Sequence, residues 1–544
     1  MQRRHLFALA VTAVAALAAG CAAPPPAAPR APIALTVLHT NDHHGRFWTN
    51  RDGEYGLAAR KTLVDRIRAE VAAAGGHVLL LDGGDINTGI PESDLQDAEP
   101  DIRGMNAIGY DAVAVGNHEF DKPREVLDKQ RRWATFPQLA ANIVRRADGR
   151  TLFEPYRILE RGGWRIAVMG LTTEDTRKMV LPGNIADLDF VRPAQAAAAL
   201  MPRLRQQADV VMAVTHMGHF TDGRSGVNAP GDVEMAREVK GFDLIVGGHS
   251  QNPVCMQGDN RRNDAHVPGQ PCAPDRQNGA WIVQAYEWGK YVGRADFTLG
   301  PQGLQLQRYQ LLPVNLKLPG PDGKPRFAAE EIAQDPALLA LLKPFQEAGQ
   351  ARLNVPVGSS EVKFDGERGS VRLRPTNLGQ LVGRSMMDKT AADIAVLNAG
   401  GLRDSLPAGP VSYRDVLKVL PFGNTIGLVE MTGEQLQAYL DVASRMAPNA
   451  GAFAHVVGAT MTFQGGRALD VRIGGQPLQP QRRYKLTINN FVAVGGDGYP
   501  PVRDLPGYVD TGFVDADVLR SYITRLSPLK AAPYEPGDAV RRVN

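Results

Sequence analysis

The sequence contains little cysteine, almost no net charge, and an N-terminal apolar run that is too short to cross a membrane. Its 544 residues include 3 cysteines, which excludes a small framework held together by many disulfides. The formal net charge of +3 falls to +1 once residues 1–20 are removed, so nothing in the bulk charge attracts nucleic acid or anionic lipid. We therefore expect small-molecule partners and no nucleic acid.

The remaining bulk properties are those of a folded protein with more than one core. Hydrophobic residues make up 43% of the chain and charged residues 22%, which is ordinary for a globular protein and argues against general disorder. A length of 544 residues exceeds what one hydrophobic core usually fills. Two domains are the expectation.

The N-terminus has the layout of an export signal. Arg3 and Arg4 precede the apolar residues 6–19, and small residues follow before Cys21, so residues 1–20 are predicted to be a signal peptide. Residues 17–21 resemble a bacterial lipoprotein cleavage site, which implies a periplasmic protein anchored through lipidated Cys21. The alternative is an ordinary signal peptide in which Cys21 is incidental. Residues 21–32 are rich in Ala and Pro and are expected to form an extended tether.

Two cysteines remain after Cys21. Cys255 and Cys272 enclose a loop of 18 residues, counting both ends, and an exported protein permits a disulfide between them. Such a bond would contribute about 3 kcal/mol in the chain-entropy model. Two unpaired buried thiols are the alternative.

Five polar clusters each follow an apolar run that is typical of a strand. The carboxyl ends of strands in an open α/β sheet line one crevice, so residues far apart in sequence are expected to meet there. Their His, Asp, Asn and Gln side chains are suitable ligands for divalent metals. The clusters are Asp42-His43-His44, Asp82-Gly83-Gly84-Asp85, Gly116-Asn117-His118-Glu119, Thr215-His216 and Gly247-Gly248-His249-Ser250-Gln251.

Several polar residues near these clusters are interpreted as structural instead. A single histidine beside a strand end more often serves a hydrogen-bonding role than a catalytic one. Asp82 is expected to cap backbone donors in its turn. Extended backbone would place Asp42 and His44 on one side and His43 on the other. The histidines assigned a structural role are His39, His43, His77, His219, His266 and His455.

The chain divides by its patterning into two unequal α/β parts. Apolar runs alternate with helix-like stretches over residues 33–327, which predicts a layered α/β domain containing two sheets. Residues 328–354 predict a helix that links this domain to a smaller α/β domain over residues 355–544. The smaller domain contains Gly-rich turns at residues 400–401 and 495–498, each directly after a predicted strand.

Taken together, these motifs resemble two known families. Asp42-x-His44, Gly84-Asp85, Gly116-Asn117-His118-Glu119, His216 and Gly248-His249 resemble the calcineurin-like metallophosphoesterase signature. The chain after residue 33 is similar to the bacterial periplasmic 5′-nucleotidase/UDP-sugar hydrolase group, because residues 398–404, 421–424 and 495–500 resemble its nucleotide-binding motifs.

The resemblance implies two divalent ions, with zinc, manganese or cobalt preferred and magnesium or calcium compatible. It places Asp85 between them as a bridging ligand and pairs His118 with Asp121 as a catalytic dyad. The implied ligands of one ion are Asp42, His44, Asp85 and Gln251, and those of the other are Asp85, Asn117, His216 and His249.

The resemblance also implies a substrate site in the second domain. Guanidinium groups bind phosphate oxygens, aromatic rings stack on a base, and polar side chains hydrogen bond to base or ribose. The residues implied are Arg368, Arg372 and Arg403 for phosphate, Phe422 and Phe491 for stacking, and Asn424 and Asp497 for hydrogen bonds.

The function expected from the sequence is hydrolysis of 5′-nucleotides by metal-activated water in a monomeric exported enzyme. UDP-sugars and nucleoside di- or triphosphates are further expected substrates. One alternative is a phosphoesterase acting on 2′,3′-cyclic nucleotides or on a non-nucleotide ester. The other is a lipoprotein that binds nucleotide without catalysis, for which His118 and Asp121 would serve no purpose.

Overall fold

The computed structural model describes residues 30–50, 52–180, 182–220, 229–258, 261–503, 505–537 and 539–543. The predicted signal peptide, Cys21 and residues 21–29 of the tether lie outside these ranges. Among the described residues, no helix combines the length and apolar character that a membrane crossing needs.

The first part of the chain is built on two six-stranded sheets, as the alternating pattern predicts. The first sheet has the strand order β14-β13-β1-β2-β3-β4, and the second has the order β11-β12-β10-β9-β7-β6. Strands β1 to β4 are mutually parallel, as are β7, β9, β10 and β12. The strands are β1 (Ile33–Thr40), β2 (His77–Asp82), β3 (Ala112–Ala114), β4 (Gln138–Leu139), β5 (Ile143–Arg145), β6 (Tyr156–Arg161), β7 (Trp164–Thr172), β8 (Leu188–Phe190), β9 (Val210–His216), β10 (Leu244–Val246), β11 (Asp275–Gln277), β12 (Ala280–Val283), β13 (Tyr291–Gly300) and β14 (Gly303–Pro313).

A continuous apolar core fills the space between the two sheets. Val37 and Leu81 of the first sheet pack in one cluster with Val168, Met212 and Val246 of the second. Parallel strands buried on both faces need near-continuous apolar sequence, which these strands have. The sheets therefore form a sandwich whose strand ends share one edge.

Helices cover the outer faces of this sandwich and give a four-layer α/β/β/α arrangement. Apolar residues of α1 and α3 pack on the first sheet, and those of α6 and α7 pack on the second. The helices are α1 (Leu57–Ala73), α2 (Pro91–Asp94), α3 (Glu99–Ile108), α4 (Arg124–Trp133), α5 (Thr176–Met179), α6 (Pro193–Gln207) and α7 (Asp232–Glu238).

The connecting helix, α8, begins later than the sequence suggests. It runs over Pro336–Leu353, after a hairpin of β15 (Lys317–Pro319) and β16 (Pro325–Phe327). The Asp335 carboxylate accepts a hydrogen bond from Leu338 N at 2.7 Å, and proline disfavours helical backbone at the preceding residue. These two features fix the helix start at Pro336, so residues 328–335 are not helical.

The second part contains a five-stranded sheet of order β21-β18-β25-β20-β26 and a four-stranded sheet of order β24-β23-β22-β27. Separate apolar clusters pack on the two faces of the five-stranded sheet. The elements are β17 (Pro356–Ser360), α9 (Arg368–Val371), α10 (Asn377–Thr390), β18 (Ile394–Asn398), β19 (Gly409–Ser412), α11 (Tyr413–Val419), β20 (Thr425–Thr432), α12 (Gly433–Ser444), β21 (Ala454–Val457), β22 (Ala459–Gln464), β23 (Arg467–Ile473), β24 (Gln476–Pro477), β25 (Arg483–Asn489), α13 (Asn490–Ala493), β26 (Tyr508–Val514), α14 (Asp515–Leu526) and β27 (Val540–Val543).

Candidate active site

The five polar clusters meet at the shared edge of the sandwich. Three lie at the carboxyl ends of β1, β2 and β3 of the first sheet, and two lie at the carboxyl ends of β9 and β10 of the second. The site is therefore built across two sheets, and each sheet contributes to both halves of the proposed metal centre.

Asp85 lies at the centre of this cluster. Its Oδ2 atom is 2.8 Å from His216 Nε2, 3.8 Å from His44 Nε2 and 3.9 Å from His118 Nε2. Two groups of side chains that could hold a cation share it, His44-Asp85-His118 and Asp85-His216-His249. This arrangement has the geometry expected of a bridging ligand.

The other implied ligands surround these two groups. Asp42 Oδ1 lies 3.7 Å from His44 Nε2, and Asp42 Oδ2 accepts a hydrogen bond from His249 N at 2.9 Å. His249 Nδ1 lies 3.0 Å from Asn117 Oδ1. Gln251 Nε2 lies 2.7 Å from His44 Nε2. The structure thus brings together all seven residues that the motifs suggested as ligands.

The backbone at these ligands differs from the extended chain expected from the sequence. Strand β1 ends at Thr40, and Asp42 and His44 both adopt positive φ angles of 52° and 51°. Left-handed backbone at non-glycine residues is strained and clusters at functional sites. Consecutive turns, and not strand alternation, direct Asp42 and His44 to the site. The remaining ligands with positive φ are Asp85, His249 and Gln251.

Glycines let the loops from the two sheets touch. A Cβ atom on Gly83 would lie 2.4 Å from the carbonyl oxygen of Gly247, and one on Gly248 would lie 2.6 Å from the carbonyl oxygen of Gly83. The main chains of the two loops are therefore in direct contact beside the proposed metal ligands.

The hydrogen bonding of the ligands suits divalent cations. His44 Nδ1 lies 2.8 Å from Thr88 O, and His216 Nδ1 lies 2.7 Å from Gly83 O, which leaves Nε2 of each ring for an ion. Burial, together with the charge of His216, lowers the pKa of His249 to about 3. Asp42 Oδ1 is buried without a hydrogen-bond partner among the described residues. Such an atom is one that a bound cation would satisfy.

His118 and Asp121 form the expected dyad. His118 Nδ1 lies 2.5 Å from Asp121 Oδ2, and Thr88 Oγ1 donates to the same carboxylate at 2.6 Å. Burial lowers the pKa of His118, but the charges of Asp121 and Asp85 outweigh burial, and the net pKa is raised. The raised pKa favours the protonated ring, whose Nε2 lies 3.9 Å from Asp85 Oδ2.

Glu119 has a role that the sequence reasoning missed. Its carboxylate accepts hydrogen bonds from Gly116 N at 2.6 Å and Ile86 N at 2.9 Å, and from Asp85 N and Asn87 N at 3.3 Å each. It therefore holds the Asp85 loop against the Asn117 loop. The sequence signal that could have identified Glu119 is its position in the motif Gly116-Asn117-His118-Glu119.

A network of buried polar side chains supports the Asp42–His44 turn. His43 Nε2 lies 2.8 Å from Asp101 Oδ1, and Arg60 Nη2 lies 3.2 Å from His43 Nδ1. Arg60 Nη1 also donates to Tyr110 Oη at 3.1 Å. The structural role expected of His43 agrees with these contacts, whereas Arg60 and Asp101 had no motif to mark them.

The implied phosphate-binding arginines line the same cleft from the second part of the chain. Arg368 donates to Gln251 Oε1, and its Nη2 lies 3.5 Å from Ser250 O. Burial and the charge of Arg368 lower the pKa of Arg403 to about 10. Within the described ranges, no carboxylate oxygen lies within 4 Å of Arg372 or Arg403, so both guanidiniums lack a protein counter-ion.

The implied base-binding residues lie in two places. Phe422 stacks on His118 with ring centroids 5.9 Å apart and an interplanar angle of 17°. Phe491 packs at the margin of the second part's apolar core. Asp497 Oδ2 accepts from Asn398 Nδ2 at 2.7 Å, and Asn424 is buried, with its carbonyl oxygen accepting from Asp515 N at 2.9 Å. Residues of both parts therefore meet at the dyad.

The remaining cysteines form the disulfide that was the first of the two alternatives. Cys255 and Cys272 are bonded, with Cα atoms 4.6 Å apart. The bond closes the loop that follows Gln251.

Two family models match the chain on either side of α8. The calcineurin-like phosphoesterase model matches residues 35–253, and the model of the 5′-nucleotidase C-terminal domain matches residues 356–504. Together they span both parts of the candidate site.

Known proteins resemble the chain over nearly its full length. It is 53% identical over 510 residues to Protein UshA of Yersinia enterocolitica, covering 92% of this chain and 93% of that protein. It is 51% identical over 540 residues to a 5′-nucleotidase of Vibrio cholerae, covering 97% and 98%. The crystal structure of a 5′-nucleotidase precursor from Thermus thermophilus superposes with a TM-score of 0.78 at 29% identity, covering 94% of this chain and 100% of that one.

These matches agree with the motifs, the two-sheet fold and the clustered ligands. The chain belongs to the calcineurin-like phosphoesterases that carry a 5′-nucleotidase C-terminal domain, the family of UshA and the Vibrio 5′-nucleotidase.

Proposed function

We propose that this enzyme releases phosphate from 5′-nucleotides and also hydrolyses UDP-sugars and nucleoside di- or triphosphates at a dinuclear metal site. The observation that carries this proposal is the contact of Phe422 with His118. It places a candidate base-binding ring from the second part of the chain directly on the candidate catalytic dyad of the first.

The residues proposed to hold the two ions are the seven implied by the family resemblance. One ion would be held by Asp42, His44, Asp85 and Gln251. The other would be held by Asp85, Asn117, His216 and His249. When bound, such ions polarise phosphoryl oxygens and lower the pKa of a water molecule towards 7.

The protein's own groups are proposed to position and protonate the substrate. Arg372 and Arg403 bind phosphate oxygens, since neither has a carboxylate partner among the described residues. His118, oriented by Asp121, donates a hydrogen bond or a proton to the phosphoryl or leaving oxygen. Phe422 stacks on this imidazole and so limits the access of water to it.

The test is release of phosphate from AMP by the purified mature protein supplied with Mn²⁺, Co²⁺ or Zn²⁺. We expect turnover with at least one metal and its loss after chelation. A panel containing 2′,3′-cyclic AMP, bis(p-nitrophenyl) phosphate and UDP-glucose separates the alternatives. No release of phosphate from AMP with any metal would contradict the proposal.

Replacing Phe491 by alanine is expected to weaken nucleotide binding more than catalysis. Loss of one stacked base costs about 1–3 kcal/mol, so KM for AMP should rise by about tenfold or more while kcat changes little. Phe463 is a buried core ring of the same part of the chain. F463L is the matched control and should leave KM unchanged; a fall in kcat alone for F491A would refute the stacking role.

The cellular setting is proposed from the sequence. We propose that residues 1–20 are removed on export, that lipidated Cys21 and the tether over residues 21–32 anchor the protein in the periplasm, and that it acts as a monomer. Residues 33–327 and 355–544 are the proposed domains.

A further inference from the structure

One arginine of the metal-binding part faces the cleft and has no assigned role. Arg46 follows the proposed ligand His44 by two residues, and its Nη1 donates to the carbonyl oxygen of His44 at 2.8 Å. Its guanidinium lies 3.9 Å from the ring centroid of Trp288. Trp288 N in turn donates to Asp42 O at 2.7 Å. The side chain is therefore held beside the turn that carries two ligands.

Arg46 lacks a carboxylate partner although acids lie nearby. In the described part of the chain, no carboxylate oxygen lies within 4 Å of its guanidinium, whereas the adjacent Lys290 pairs with Glu287 at 2.8 Å. Arg46 is half-buried. A partly desolvated guanidinium without a paired carboxylate is well suited to bind an anionic group.

The cleft holds several guanidinium groups that have no carboxylate partner among the described residues. Arg403 Cζ lies 5.5 Å from the centroid of the Phe422 ring, which also stacks on His118. Arg46 is among the neighbours whose charge lowers the pKa of Arg403, after burial and Arg368. Two linked phosphates carry more negative charge and more acceptor oxygens than one, so they match a cleft with several guanidinium groups better.

We propose that Arg46 binds a second phosphate group and so favours substrates with two linked phosphates, such as nucleoside diphosphates and nucleotide sugars. This inference rests on the proposed function. It adds a phosphate-binding side chain in the first part of the chain, whereas the family motifs place the phosphate-binding arginines only in the second part. Arg46 acts in substrate binding and touches the phosphate that is not attacked.

The experiment compares kcat/KM for ADP and AMP in the metal-loaded enzyme and its R46M variant. Methionine keeps an apolar cover over Trp288 but removes the charge. A hydrogen bond to a charged group contributes about 1.5–3 kcal/mol, so the ADP-to-AMP ratio of kcat/KM should fall by about 10- to 100-fold, chiefly through KM for ADP. R46K should recover part of the ratio, because it keeps a point charge and loses the planar fork.

The control is R66M. Arg66 is 57% exposed at its side chain and lies 3.7 Å from Glu330 on the surface, so its loss should leave the ratio unchanged. Equal losses for ADP and AMP in R46M would show that Arg46 only positions the metal loop, and no loss for either would show that it binds nothing; both overturn the inference. Failure of the proposed function would appear separately, as a wild-type enzyme inactive on AMP.

Discussion

Changing Asp85 to asparagine is expected to lower kcat for phosphate release from AMP by about a thousandfold or more. Asparagine matches aspartate in shape and tolerates the positive φ of 60° at this position, so the fold should persist. What it removes is the negative charge that His44, His216 and His118 surround at 2.8 to 3.9 Å. A shared ligand serves both ions, so its loss should disturb both.

The measurement is a phosphate-release assay together with elemental analysis of bound metal. D82N is the matched control, because Asp82 ends β2 just before that loop and accepts hydrogen bonds from Gly84 N at 2.8 Å and Thr40 Oγ1 at 2.5 Å. It should keep its metal and lose no more than about tenfold in kcat. A D85N protein with full metal content and more than a tenth of wild-type activity would rule out the bridging assignment.

Changing His118 to asparagine should lower kcat by about a hundredfold to ten-thousandfold, the usual contribution of a general acid. His118 belongs to one of the side-chain groups that could hold a cation, whereas the resemblance assigns it to the dyad with Asp121. Metal content decides between these roles. We expect H118N to retain both ions and D121N to lose about 10- to 100-fold in kcat, because Asp121 acts through the imidazole.

His77 provides the control of the same residue type. It is half-buried at the start of β2, at the opposite end of the strand from Asp82. H77N should match the wild type in both kcat and metal content. Loss of one ion per chain in H118N would show that His118 is a ligand, and the proposed proton donor would then have to be another group.

The sequence predicted the fold class and the location of the candidate site with good accuracy. Each of the five apolar runs is a strand, from Ile33–Thr40 to Leu244–Val246, because buried parallel strands need apolar residues on both faces. The polar cluster after each strand then marked the edge where the ligands meet.

Features that depend on tertiary contacts were not accessible from the sequence. Periodicity does not reveal that β1 and β9 lie in different sheets, or that turns with positive φ direct Asp42 and His44. Arg46 and Arg60 look like ordinary surface residues in a linear chain. Only the fold shows that Arg60 is 1% exposed and that Arg46 lacks a counter-ion among the described residues.

The contact between Gly83 and Gly247 has a consequence for the choice of metal. Since the two peptide groups are in contact there with no side chain between them, this contact sets the separation of the two halves of the metal centre. Changes in the packing of the surrounding cores would leave this separation unaltered, whereas a single methyl group at residue 83 would push the two sheets apart. Selectivity among cations of different radius would then depend on the smallest residues of the site and not only on those that bear the ligand atoms.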